Sequence, residues 1–294
     1  RIAIELNCRP QYPTARRKTK ADIAGSDFAN DSGEWTKPDR YPMGTRLLPM
    51  KLLLPLCLLL AFSPPAFAGK KGTSRRPRCD SSSTASYRAM KANWQKPPGV
   101  KPPEWRDGYR DLTIYAVNLG IRVRFFPFLA DGSIDPTGMA EFERAMADKD
   151  TGATHPSPER LLKLIYRLAD HFDAKQINLI SGYREPEDAT ESHHADASAA
   201  DFMIPGVPLA AVARVARRFG HVGVGFYPVS GFIHMDVRSG SSFFWADRSG
   251  PGKGSCMVRI MKSHIPGFDR KWKPADDEPV PRRNKKGELR GATA

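Results

Sequence analysis

Between Ser192 and Phe202 the chain reads SHHADASAADF, which sets two histidines and two aspartates among alanines and serines. Small side chains at 195–200 let such a loop pass close to a neighbouring backbone and leave space for an ion and a substrate. Asp201 opens the apolar run DFMI, where a carboxylate without a partner is costly. His194 lies in the loop that leads into it. A third candidate is His234 in GFIHMDVR. Side chains alternate along a strand, so Phe232, His234 and Asp236 share one face while Ile233, Met235 and Val237 take the other. The second set is wholly apolar and marks the core side, so His234 and Asp236 project together from the opposite face.

Two histidines and one carboxylate with a fourth position open form the ligand set of a catalytic zinc ion, unlike the closed four-ligand structural type. Nitrogen and oxygen donors without thiolate suit other transition metals too, with zinc the first choice. Such an ion brings the pKa of a bound water toward 7 and polarises a carbonyl, the needs of hydrolysis. A base must then reach that water. Asp236 is the nearest candidate, and its competing role is to orient His234. Arg184, in SGYREPE, stands at the exit of the apolar run QINLIS and is placed to hold a substrate carboxylate or a developing oxyanion.

The elements that must position these groups are legible around them. LTIYAVNLG and IRVRFFPFLADGSID read as strands that end at the turn Asp131-Gly132. DPTGMAEFERAMAD reads as a helix with Asp135 as its N-cap. SPERLLKLIYRLADHF reads as a second helix, opened by Ser157-Pro158 and striped by Leu161, Leu162, Leu164, Ile165 and Leu168. A strand QINLIS, the histidine loop, a strand ADFMI, a helix PLAAVARVARRF and strands VGVGFY and GFIHMDVR follow, the last two joined by a turn at Pro228 to Ser230. Strands and helices mix without βαβ regularity. The expected class is α+β, a single domain over 111–265 with a mainly antiparallel sheet and flanking helices.

The ends of the chain differ from this middle. Residues 43–68, MGTRLLPMKLLLPLCLLLAFSPPAFA, have a basic front, a short apolar run and a small-x-small cleavage site before Gly69, which is the pattern of a secretory signal peptide. The run is shorter than the about 20 apolar residues that span a bilayer, and prolines break it. Leu56 before Cys57 argues against a lipid anchor. Residues 1–42 contain no methionine, and a start placed too early, with Met43 or Met50 as the true one, accounts for them. Residues 69–110 are rich in Lys, Arg, Ser and Pro and read as a disordered linker, and 266–294 as a disordered basic tail. Of 46 basic and 32 acidic residues, 10 and 6 precede Gly69, which leaves a net charge near +10 on the remainder. A basic exported protein suits an anionic envelope polymer or lipid head groups, in the periplasm or cell envelope. The charge gathers at the two ends instead of along one helix face, so nucleic acid is not an expected partner, nor is stable membrane insertion. Cys79 and Cys256 alone follow the signal, and in an oxidising compartment they are candidates for pairing, which sequence leaves open.

SGYREPE, then SHHADASAADFMIPG, then GVGFYPVSGFIHMDVR and Trp245 resemble, in order and spacing, the murein endopeptidase K-like zinc peptidases, a branch of the D-Ala-D-Ala metallopeptidase and hedgehog superfamily. The resemblance runs from about Leu112 to Trp245. It implies a hedgehog/DD-peptidase-like fold, one zinc ion on His194, Asp201 and His234, and Arg184 as a group that binds substrate and stabilises the transition state. Tyr183 and Ser192 fall in the same two segments and are expected at the substrate, while His193 matches a variable position. The implied activity is a cell-wall one, hydrolysis of peptide bonds in peptidoglycan stem peptides or cross-links, with endopeptidase favoured over carboxypeptidase. The alternative is a module that binds peptidoglycan on the same fold without turnover. Three departures stand out. The loop before the ligand histidine, EPEDATESH, is short and acidic where relatives are often longer and more basic. The family's glycine after the ligand histidine is Ala197 here, which strains the loop if a positive φ is required. No Glu or His stands shortly before His234, where other branches of the superfamily keep their base.

Overall fold

Leu161, Leu162, Leu164, Ile165 and Leu168 recur at three- and four-residue intervals and are all buried, so helix α3 (Glu159–His171) forms by covering one apolar stripe. The numbering of elements follows a computed structural model that describes residues 79–185, 192–259 and 265–292. In chain order they are α1 (Ala85–Gln95), β1 (Trp105–Arg106), β2 (Tyr109–Arg110), β3 (Leu112–Ala116), β4 (Ile121–Phe125), α2 (Pro136–Met146), α3, β5 (Ile177–Ser181), β6 (Ala199–Met203), α4 (Leu209–Ala216), β7 (Val222–Tyr227), β8 (Phe232–Val237), β9 (Phe243–Asp247), β10 (Met257–Arg259) and α5 (Ile265–Lys271). Asp135 caps α2 as expected, its carboxylate accepting from Thr137 N at 2.9 Å. Ser157 does not cap α3. Its own backbone N–H donates to Glu143 Oε1 at 3.0 Å, and the helix opens at Pro158 without a side-chain cap.

Apart from the ribbon β1–β2, the strands form one eight-stranded sheet in the order β10-β9-β7-β8-β6-β5-β3-β4. Only β3–β5 and β7–β9 run parallel, so the sheet is mainly antiparallel and the class is α+β. One face carries Phe202, Val222, Val224, Ile233, Met235 and Phe244, all buried with residues of α2, α3 and α4 in the main core. Burying a side chain of that size is worth about 1.5–3 kcal/mol relative to leaving it exposed. The other face presents Asp201, His234 and Asp236.

The expected linker differs from the structure over its described part. Helix α1 lies on the site's face of the sheet, where Tyr87 and Trp94 pack with Ile180, Met203 and Phe232. Tyr87 Oη donates to Ser230 O at 2.8 Å, and Asn178 Nδ2 donates to Trp94 O at 3.0 Å. Two aromatics in a polar eleven-residue helix are a thin signal, yet each fills a pocket that the sheet supplies. The tail differs likewise. Asp277 is buried and accepts from Arg160 Nε at 2.6 Å and Trp272 Nε1 at 3.0 Å, while Arg282 pairs with Asp170 at 2.7 Å. Single polar and ring contacts hold this segment, so its low apolar content does not leave it without structure. Strands β9 and β10 also go beyond the sequence reading.

Cys79 and Cys256 form a disulfide, which fixes the start of the α1 segment to the loop before β10. The expectations for 1–42, 43–68 and 69–78 lie outside the described residues, as does most of the acidic loop before Ser192. Among the described residues no helix is long and apolar enough to cross a membrane.

Candidate metal centre

β6 and β8 are antiparallel neighbours, and their register sets Asp201 directly opposite His234. Residues opposite each other on one face stand side by side, so the sheet itself brings this carboxylate to this imidazole. The histidine loop supplies the third group. Its turn is pinned by Arg184 N donating to His194 O at 3.0 Å and by Ala197 N donating to the same carbonyl at 3.3 Å. Ala197 has φ +54° and is fully buried, so the left-handed conformation that the sequence flagged is present, held by its surroundings.

His194 Nε2, His234 Nδ1 and Asp201 Oδ1 converge. The separations are 3.2 Å between the two nitrogens, 3.4 Å from His194 to the carboxylate and 2.9 Å from His234 to it. A tetrahedral ion with bonds of about 2.0–2.1 Å needs donors about 3.3 Å apart. The outer nitrogens decide what points inward. His194 Nδ1 lies 2.6 Å from Gly182 O and His234 Nε2 lies 3.1 Å from Asp236 Oδ2. Carbonyl and carboxylate only accept, so both outer nitrogens carry the proton and both inner nitrogens face the centre with lone pairs. Two lone pairs and a carboxylate oxygen at such distances repel unless a cation lies between them. The residues fit a metal ion.

The electrostatics agree. Burial disfavours charge on His194 and, with Arg184 beside it, pushes its pKa down. Burial alone would raise Asp201, but His194, His234 and Arg184 more than reverse this and hold its carboxyl far below the usual range. Burial likewise opposes charge on His234, but bonds to Asp201 and Asp236 raise it to about 9. Without a metal, the cluster would keep a proton in the metal's place. Arg184 Nη2 donates to Asp201 Oδ2 at 2.7 Å and its Nε to Ser181 Oγ at 2.9 Å. The carboxylate is thus divided, one oxygen toward the centre and the other on the guanidinium.

Asp236 does not stand where a base must. It is 0% exposed and lies behind His234, held by Arg238 Nε at 2.7 Å and Gly223 N at 3.1 Å. Burial works to raise its pKa, but His234 and Arg238 pull it well below the ordinary carboxylate range. A buried, firmly ionised group on the far nitrogen of an imidazole is an acceptor for that nitrogen, the second of the two roles open from sequence. The Tyr183 ring is buried and stacks on His155 at 5.2 Å. Ser192 is exposed and accepts from His194 N at 3.3 Å, which makes it a brace for the turn. His193 stays outside the ligand set, with Nδ1 3.2 Å from Ser198 Oγ.

The sequence reading named Trp245 but gave it no role, and it forms one wall of the site. Trp245 lies 5.2 Å from His234, ring to ring, and its Nε1 donates to Tyr227 Oη at 3.1 Å. Gly225 stands between His234 and Trp245 in the strand register. A Cβ there would meet Trp245 at 2.6 Å and Tyr227 at 2.8 Å, and one at Gly223 would meet the side chains of Asp236 and Arg238. The signal was in VGVGFY, where alternate glycines clear one face of a strand while valines fill the other.

An α+β fold whose sheet brings three such donors together is compatible with the class of metal-dependent hydrolases. The family described as peptidoglycan L,D-endopeptidase MepK matches residues 106–243. A probable peptidoglycan L,D-endopeptidase MepK of Haemophilus influenzae is 32% identical over 141 residues, which cover 44% of this chain and 75% of that protein. The peptidoglycan L,D-endopeptidases MepK of Escherichia coli K12 and Shigella flexneri are each 34% identical over 89 residues, 26% of this chain and 49% of theirs. No solved structure matches the chain. The chain belongs to the murein endopeptidase K-like family of M15 peptidases.

Proposed function

We propose that this protein is an exported, zinc-dependent endopeptidase that cuts peptide bonds between L and D centres in peptidoglycan stem peptides or cross-links. The observation that carries the metal is the convergence of His194 Nε2, His234 Nδ1 and Asp201 Oδ1 with both outer imidazole nitrogens already committed. The bond class rests on the names of the relatives, all L,D-endopeptidases. Export is supported by the leader-like segment 43–68, by the basic character of the chain and by a disulfide, which persists in oxidising compartments.

In this reading His194, Asp201 and His234 hold one zinc ion, which supplies a nucleophilic water near neutral pH and a Lewis acid for the scissile carbonyl. Asp236 fixes the tautomer and tilt of His234, and Gly182 O does the same for His194. Arg184 keeps Asp201 ionised and has a side chain 39% exposed beside the centre, where it can bind a substrate oxygen. Phe232, Trp245 and the α1 segment supply apolar walls that dry the site and strengthen these charges.

The test is the metal content and murein cleavage of the chain from Gly69 onward. One zinc per chain and release of soluble muropeptides are expected, and His234→Ala should lose both. Zinc binding without cleavage would leave a peptidoglycan-binding module in place of an enzyme.

A further inference from the structure

We infer that the Tyr227 hydroxyl is a further catalytic group, a hydrogen-bond donor to the carbonyl oxygen of the bond being cut. The inference deepens the peptidase reading and rests on it.

Tyr227 ends β7 on the same face as Gly223 and Gly225, hence on the face of His234. Its ring stacks on Phe232 at 4.7 Å, and its Oη accepts from Trp245 Nε1 at 3.1 Å. Indole is a donor only, so that bond occupies a lone pair of the phenol and leaves the phenolic proton to go elsewhere. Among the described residues no hydrogen bond from Tyr227 Oη to an acceptor is found. The phenol is half-buried, and Trp245, to which it is tied, packs on the His234 ring. Gly225 makes this possible, because any side chain there would part the two aromatic rings from the sheet.

The result is a hydroxyl held by its own acceptor bond on the sheet face that carries His234, with its proton left to donate. Burial and the nearby Asp201 carboxylate raise the Tyr227 pKa, so the group remains a donor across the working range. A preformed donor aimed at a carbonyl oxygen gains strength as that oxygen acquires charge. In hydrolysis the water oxygen bonds to the carbonyl carbon, the carbon–nitrogen bond breaks, and both water hydrogens end on the departing amine. Tyr227 keeps its proton throughout. Its contribution is a bond that shortens in the transition state, a use the Trp245 bond pre-orients.

The experiment compares the zinc-loaded protein with Tyr227→Phe and Trp245→Phe, using cross-linked murein for turnover. A phosphinic analogue of an L,D-dipeptide serves as the tetrahedral mimic, and the free product peptides serve as the ground-state control. Tyr227→Phe should keep one zinc per chain and its thermal midpoint, lower kcat about 100-fold with KM within about twofold, and weaken the phosphinate by a similar factor. Product affinity should change less than about twofold, since the bond matters only in the transition state. Trp245→Phe should cost less than Tyr227→Phe, and the double variant no more than Tyr227→Phe alone, because the indole acts through the phenol. Unchanged kcat and phosphinate affinity in Tyr227→Phe would overturn the assignment, as would equal losses for phosphinate and products or failure of the wild-type protein to bind the phosphinate. Hydroxyl-dependent phosphinate binding in a protein that releases no muropeptides would instead sink the peptidase reading and keep the donor.

Discussion

His194, Asp201 and His234 are interesting less for being ligand types than for meeting in an arrangement that calls for a cation, a proton or a metal ion, between them. Each imidazole has its outer N–H committed, and each inner nitrogen faces an acceptor. Asp201→Ala should therefore abolish stoichiometric zinc binding, read by metal analysis after dialysis, whereas His193→Ala should leave one zinc in place. Asp236→Asn keeps the shape but offers His234 a weaker acceptor, so zinc should stay bound with affinity or turnover about 10–100-fold lower. Proton bookkeeping gives a further prediction. His234, raised to about 9, is protonated in metal-free protein at neutral pH, whereas His194 is held neutral by burial. Zinc must displace that one proton. Apparent affinity should rise about tenfold per pH unit up to about pH 9 and level off above it, with one proton released per zinc in calorimetry across buffers. Affinity independent of pH between 6 and 8 would contradict this protonation state.

At the scale of elements, the site is a consequence of strand register. Alternation in GFIHMDVR places His234 and Asp236 on one face, and the β6–β8 pairing then brings Asp201 opposite His234. The first step was legible in the sequence because an apolar reverse face leaves a strand only one orientation. The second was not, because residues 201 and 234 do not announce which strands pair. For the same reason Asp236 read first as the base and only second as a brace for His234, whereas Arg238 and Gly223 enclose it. The glycines of β7 escaped notice because their role belongs to side chains from β8 and β9. Gly225→Ala tests that role. The added Cβ sits 2.6 Å from the Trp245 ring, so the indole must move. Zinc should remain bound, while turnover falls at least about tenfold as the aromatic wall shifts. Wild-type turnover in Gly225→Ala would show that the wall has no part in the reaction.

For the whole molecule, the described parts of the segments read as linker and tail are straps on the sheet domain. Composition could not reveal them, since α1 is fastened by Tyr87, Trp94 and a few backbone acceptors, and the tail by buried Asp277. Covalent closure adds to this. Cys79 and Cys256 are 177 residues apart. A cross-link across a loop of that length removes unfolded-state entropy worth about 5 kcal/mol in the chain-entropy account. Reduction, or Cys79→Ser with Cys256→Ser, should lower the urea midpoint accordingly while leaving zinc stoichiometry intact, since no ligand belongs to the strap. Equal midpoints for oxidised and reduced protein would show that the strap is held by packing alone.

The claim beneath all of this is that one ion sits among those three side chains. Anomalous diffraction at the zinc edge from crystals grown with zinc measures it directly. The account predicts a single strong peak about 2.0–2.2 Å from His194 Nε2, His234 Nδ1 and Asp201 Oδ1, with a fourth position open to solvent. A peak elsewhere, or one closed by a fourth protein side chain, would contradict it.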